Sequence, residues 1–418
     1  MNLNRVVVTG LGSLTPIGNN TTSYWNNLLL GVSGARPIQH FDASLFKTKF
    51  ACELKDFNIL DWLGPKEARR IASFTQYAII AANEAIKDAS IDTSSINLEK
   101  AGVIFGTGMG GHSSLFDECE AYAKSGEEVP NLNPFVITKV IGSIAAGHIA
   151  IQHGFKGLNY TTSSACASSA NAIADAFNYI RLGKANIVVV GGAEAPINKL
   201  SVAGFNAMQA ISRRNDDPTT ASRPFDKGRD GFVMGEGAGT IVLESLEHAL
   251  ARKAPIYAEM VGAGLSADAF HIASPHPEGE GAKLAMKNAL EDAHLPIEAI
   301  DHINMHGTST PLGDIAEVRA IMSLFGEHAY KIKLTANKSM IGHLLGAAGV
   351  VEAIATILSI KHNIIPPTIN HFELDEAFDE NLNFVFNSSQ KHTIDVALSN
   401  SFGFGGQNTS LAFKKYEY

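Results

Sequence analysis

Cys166 sits in the run Ser163-Ser164-Ala165-Cys166-Ala167-Ser168-Ser169, where a strand-like stretch gives way to small residues at helical spacing. A thiol at a helix start meets unpaired backbone N–H groups and the positive end of the helix dipole, and both favour thiolate. Cys166, Ala170, Ile173, Phe177 and Ile180 recur on one face and predict the helix behind it. The segment alone leaves two readings open, a nucleophile or a core cysteine at the top of that stripe. His306 closes the run Ile303-Asn304-Met305-His306 and opens into Gly307-Thr308-Ser309-Thr310-Pro311, the place where α/β proteins put reacting groups. His343 opens the Leu344–Gly349 segment, and Lys338 precedes it by five residues in what reads as loop. Each could equally be a satisfied core histidine or a surface lysine. Glu352 lies inside an apolar helix with Leu344, Ala347, Val351, Ile354 and Leu358 on one face. A buried carboxylate there needs donors or a cation, supplied by Lys338 or a bound monovalent ion.

Together a thiol, two imidazoles and an ammonium suit thioester exchange with stabilisation of an enolate better than Cys-His-Asn hydrolysis. The segment Asn400–Gly406 reads as a flexible loop whose N–H groups complete an oxyanion hole, with Phe402 and Phe404 covering a pocket. Two lures are weak. Gly106–Gly111 satisfies GxGxxG, but no acidic residue follows a second strand at the right distance. His302 and His306 sit in a strand-like segment without an HExxH pattern, which argues against zinc.

The elements that must hold these groups repeat. Val6–Gly12 is echoed by Tyr257–Gly264, Gly102–Gly108 by His302–Thr308, the Cys166 helix by the His343 helix, and Ile187–Gly192 by Val396–Ser401. Strands alternating with helices predict a duplicated, layered α/β fold with mostly parallel sheets and helices between and outside them. The halves divide into residues 1–254, carrying the thiol, and 255–418, carrying the histidines and lysine. If a pseudo-twofold axis relates them, the two helix starts face each other across one pocket.

The bulk properties narrow the class. The 418 residues are 45% hydrophobic and carry a net charge of −9, which argues against nucleic acid as the principal partner. Three cysteines without paired spacing exclude a disulfide scaffold and fit a reducing cytoplasm. No signal peptide is evident, and no apolar run reads as a membrane span.

The motifs Ser164-Ala165-Cys166-Ala167, His306–Asp314, Lys338–Gly349 and Asn400–Gly406 resemble the 3-oxoacyl-[acyl-carrier-protein] synthases, the elongating type II enzymes above all. The resemblance spans essentially the whole chain, including Ala221–Asp226 and Asp230–Gly237. It implies a thiolase-type α-β-α-β-α fold, a homodimer, and decarboxylative Claisen condensation with acyl carrier protein as partner. It implies that Cys166 takes the acyl group, with its pKa lowered by the helix start. His306 and His343 donate to the malonyl thioester oxygen, Lys338 and Glu352 hold the electrostatics, and Phe404 gates the site. Thr308, Thr310 and Phe402 match positions along the pantetheine and substrate channel, Met109 one lining the acyl pocket. Lys66, Arg69 and Arg70 match the carrier-docking region. Ala273 stands where a threonine is usual and Gln209 where a basic residue is common, although Arg213 and Arg214 lie nearby. These departures keep a dedicated polyene or polyketide ketosynthase open as an alternative. A silent chain-length partner is disfavoured by the intact thiol and imidazoles.

Overall fold

Ten strands pair into one sheet in a computed structural model that describes residues 3–126 and 132–417. They are β1 (Val6–Leu14), β2 (Ala101–Gly106), β3 (Asn159–Thr162), β4 (Ile187–Glu194) and β5 (Gly237–Ser245) in the first half. The second half supplies β6 (Ala258–Ala267), β7 (His302–Asn304), β8 (Lys333–Thr335), β9 (Val396–Gly403) and β10 (Gln407–Lys414). The sheet order is β8-β7-β9-β10-β6-β1-β5-β4-β2-β3. Read outward from the centre, each half presents its first, fifth, fourth, second and third strand. The three strand echoes fall on matching positions of this duplicated order, and the fourth joins the helices that follow the third strand of each half.

The sheet is mixed where mostly parallel sheets were expected. In each half the second strand runs parallel to its two neighbours, whereas the fifth runs antiparallel to the first and fourth. The reason is local for β9 and β10, which a tight turn at Phe404–Gly406 joins as a hairpin, and a hairpin is antiparallel by construction. Segment 400–406 is therefore mostly strand, not a flexible loop. The halves are also joined, because β1 and β6 pair antiparallel through Val6–Val8 and Ala258–Met260.

Six helices build the layers around this sheet: α1 (Ser73–Asp88), α2 (Ile144–His153), α3 (Ser168–Arg181), α4 (Glu280–Ala293), α5 (Pro311–Phe325) and α6 (Ala348–His362). α3 and α6 pack on each other, and each touches strands of both halves. α1 and α2 cover the outer face of the first half, α4 and α5 that of the second. The expected α-β-α-β-α layering results. Alternate residues of β2 enter different cores, Val103 the outer one and Ile104 the central one, so this strand shows no polar face. Glycines let the outer helices approach. A Cβ on Gly12 would lie 2.0 Å from Ala81 O of α1, and one on Gly264 2.0 Å from Ala285 O of α4.

Every residue of α6 from Ala348 to Ile360 is buried, as a helix apolar all round requires. The stretch Leu345–His362 is in fact long and apolar enough to cross a membrane by length and composition, which corrects the reading that no run reaches that length. It is 89% buried as the central helix of the protein.

Candidate active site

The C-terminal end of β3 leads into a turn of small residues in which Ala165 takes a left-handed φ of 49°. Ser168 Oγ receives the Ser164 N–H at 2.9 Å and donates to Ala165 O at 2.6 Å, locking the turn from the first residue of α3. Cys166 stands two residues ahead of that helix. Ala170, Ile173, Phe177 and Ile180 do form the buried stripe, but the thiol leaves it and faces an apolar group containing Ile197, Phe232 and Leu345. Glycine is required at 403, because a Cβ there would come within 2.8 Å of Ser164 O and 3.1 Å of Cys166 N. The next residue, Phe404, directs its backbone N–H to the sulfur.

A cavity of about 590 Å³ opens over Cys166. Met109, Thr308, Thr310, Phe402 and Phe404 line it together with His306 and His343, so the predicted residues converge from both halves. Gln209 and Ala273, the two departures, also line it. The imidazole rings lie 5.4 Å apart at 85°. Phe402 flanks His306 at 5.6 Å, and Phe232 meets His343 edge-on at 5.3 Å. Lys338 is not in a loop but opens a short helical turn, Lys338–Ile341, and is fully buried behind the imidazoles. Its three protons find three acceptors: Glu352 Oε1, His306 O at 2.7 Å and His306 Nδ1 at 3.3 Å.

These contacts set the tautomers. His306 Nδ1 faces an ammonium and His343 Nδ1 faces the Leu345 N–H at 3.3 Å, so both Nδ1 atoms accept and each ring proton sits on Nε2. Burial first, then the Lys338 charge, hold both imidazoles well below their ordinary pKa, so both are neutral. Burial pushes Glu352 up to about 7 against the pull of Lys338. Cys166 departs from expectation. Burial pushes the thiol up to about 12, and Lys338 and the Phe404 N–H only partly oppose it. Burial against the apolar wall is the largest influence on the sulfur, and the helix proper starts only two residues later.

Sequence reasoning missed three acids. Glu317 of α5 accepts from the backbone N–H groups of His306 and Gly307 at 2.8 and 2.9 Å. Asp314, one turn earlier on the same face, accepts from Ser309 at 3.1 Å and Phe225 at 3.0 Å. The signal that exposed Glu352, an acid among apolar helix residues, was present in Asp314-Ile315-Ala316-Glu317-Val318 as well. Glu194, at the end of β4, accepts from the Met109 N–H at 3.1 Å and lines the cavity. Lys66, Arg69 and Arg70 lie apart from the main cavity and edge a second, shallow cleft with Leu132–Phe135, where Arg70 stacks on Phe135 at 5.1 Å. Among the described residues no group of three or more His, Cys, Asp or Glu side chains is arranged to hold a metal.

Residues 3–249 match the family model for the beta-ketoacyl synthase N-terminal domain, and 257–372 that for the C-terminal domain. A 3-oxoacyl-[acyl-carrier-protein] synthase 2 of Synechocystis sp. is 49% identical over 99% of this chain and 98% of its own. Among solved structures, the ishigamide ketosynthase/chain length factor superposes with a TM-score of 0.92 at 35% identity, covering 99% of this chain and 100% of its own. A type II polyketide ketosynthase in complex with its acyl-carrier protein gives 0.92 at 31% identity, with the same coverage of both chains. The matched domains, the near-complete overlap with the Synechocystis enzyme and the shared thiolase-like architecture agree, and the chain belongs to the beta-ketoacyl synthase family.

Proposed function

We propose that the chain elongates acyl groups in bacterial type II fatty acid synthesis by decarboxylative Claisen condensation. The observation that carries this is the pair of neutral imidazoles with Nε2–H donors beside one thiol. Cys166, once deprotonated, attacks the carbonyl carbon of an acyl thioester; the carrier thiolate leaves and takes up a proton. Backbone N–H groups of Cys166 and Phe404 hold the oxygen of that intermediate. Malonyl thioester then enters along Thr308 and Thr310. Its C–CO2 bond breaks, carbon dioxide leaves, and the electron pair becomes an enolate whose oxygen accepts from His306 and His343. The enolate carbon attacks the Cys166 thioester, a C–C bond forms, the C–S bond breaks, and the thiolate returns. Lys338 orients His306 and adds its charge to burial in holding both rings neutral, with Glu352 balancing that charge. Phe404 covers the acyl entrance.

The acyl carrier protein docks through Lys66, Arg69 and Arg70, whose exposed cations suit an acidic partner on a chain of net charge −9. Two copies assemble through the β3 edge of the sheet, where α2 packs on β3 and leaves Ile151 83% exposed. The same reading puts the reaction in the cytoplasm. A monovalent cation suits the buried oxygens Glu352 Oε2 and Asn304 Oδ1, which have no hydrogen-bond partner in the structure, although no step of the reaction uses it.

Mass spectrometry tests the function. The protein is incubated with saturated acyl-carrier proteins of several lengths and then with malonyl-carrier protein. An acyl adduct on Cys166 that converts to carrier-bound 3-oxoacyl product across that range is expected. Absence of any adduct with saturated chains would shift the assignment to a dedicated polyene or polyketide ketosynthase.

A further inference from the structure

Glu194 is buried at the junction of the halves, and all its contacts are donors. Oε1 accepts from Thr107 Oγ1, from Met109 N–H at 3.1 Å and from Gly110 N–H at 3.3 Å, while Oε2 accepts from Gly346 N–H at 3.3 Å. One oxygen thus gathers the turn that follows β2 and carries Met109 into the cavity. The other reaches the second half. There the fit is tight, since a Cβ on Gly346 would lie 2.3 Å from Gly108 N. The residue before Gly346 is Leu345, a non-glycine held at a left-handed φ of 47°, and its N–H is the donor to His343 Nδ1. Such a conformation is strained for a residue with a side chain and persists only where the surroundings enforce it. Gly346 N–H closes the peptide that enforces it.

We propose that Glu194 is a positioning residue that keeps the His343 proton on Nε2, by anchoring the Leu345–Gly346 peptide to the Thr107–Gly110 turn. This rests on the condensing function proposed above. The two oxygens make the link separable. In Glu194→Gln the amide keeps one acceptor, and on the turn side Thr107 Oγ1–H and Met109 N–H compete for it, Gly110 N–H being shared with Thr107 Oγ1 at 2.9 Å, against one donor at Gly346. The NH2 therefore turns to Gly346, where donor meets donor, and only the His343 side is released.

The test measures two half-reactions in wild type and Glu194→Gln: acylation of Cys166 from acyl-carrier protein, and decarboxylation of malonyl-carrier protein. Decarboxylation should fall tenfold to a hundredfold, roughly what an ångström of misplacement costs, with acylation within about threefold of wild type. Equal loss in both with a lower melting temperature would reduce Glu194 to a structural prop, and no loss in either would also overturn the proposal. Imidazole 15N shifts of His343 give a readout independent of turnover. A change between wild type and Glu194→Gln is expected; identical shifts would sink the link. If wild type itself performs neither half-reaction the condensing function fails, and the nitrogen shifts alone then decide the fate of the link.

Discussion

The two halves share one strand order yet handle the same corner differently. In the first half five residues separate β3 from α3, and the helix start lies hard against the end of β2: a Cβ on Gly106 would meet Ser169 N at 2.3 Å. In the second half twelve residues separate β8 from α6, and they fold as the Lys338–Ile341 turn and the Leu345–Ala347 turn. The matching strand end therefore has room for a side chain, His306, where the first half tolerates only glycine. Close packing leaves one small thiol, Cys166, on a strained turn. The longer connection admits two imidazoles and an ammonium. A left-handed residue marks each corner, Ala165 at 49° and Leu345 at 47°. Duplication supplied the frame, and the length of one connection divided the chemistry.

This division predicts that the halves can be disabled separately. The largest effect belongs to Cys166→Ala, which removes the acyl acceptor proposed above. Condensation should fall by at least about a thousandfold, as loss of a catalytic nucleophile does. Malonyl decarboxylation, run by the second half, should persist as carbon dioxide release; its disappearance would show that the thiol serves both steps. Next come His306→Ala and His343→Ala. Each removes one donor to the developing enolate and should slow decarboxylation by about a hundredfold to a thousandfold. Mass spectrometry should still find the acyl adduct on Cys166, and its loss would break the separation.

The repeat was legible because a glycine in a buried strand leaves a visible mark. Gly12 and Gly264 keep the same appointment with an outer helix, and the sequence echo reports it. Cys166, His306, His343 and Lys338 were legible as a set because each breaks an otherwise apolar or small-residue run. The strand direction was not, since Gly405-Gly406 can close a hairpin or loosen a loop and nothing local decides between them. The Cys166 environment was misread for a different reason. The helix start lies adjacent in sequence, whereas the groups that desolvate the thiol, Ile197, Phe232 and Leu345 among them, arrive from distant segments. Glu194 gave no signal because an acid at a strand end usually meets water.

A smaller effect concerns stability. Lys338→Met leaves Glu352 buried without its cation, a change that costs about 3 kcal/mol when the carboxylate stays charged. Burial already raises Glu352 to about 7, and loss of Lys338 raises it further, so the folded variant binds a proton that the unfolded chain releases above the ordinary carboxylate range. The destabilisation should therefore be slight near pH 5 and grow as pH rises toward 8. Melting temperatures at the two pH values measure it. Lys338→Met with Glu352→Leu should recover the melting temperature without recovering decarboxylation.

The gentlest contrast comes from pH alone. The Cys166 thiol, raised to about 12, is mostly protonated at neutrality, so the thiolate fraction grows roughly tenfold per pH unit below that value. Acylation of Cys166, followed by stopped mass spectrometry between pH 6.5 and 8.5, should climb with pH. The imidazoles are held well below 6.5 and stay neutral throughout the same interval. Malonyl decarboxylation should consequently be flat, because the Nε2–H donors do not change their charge. Two slopes from one active site would report two differently built halves. If acylation also proved flat, a group in the acyl-loaded complex would be removing the thiol proton, and the first half would be less independent of its partner than its close packing implies.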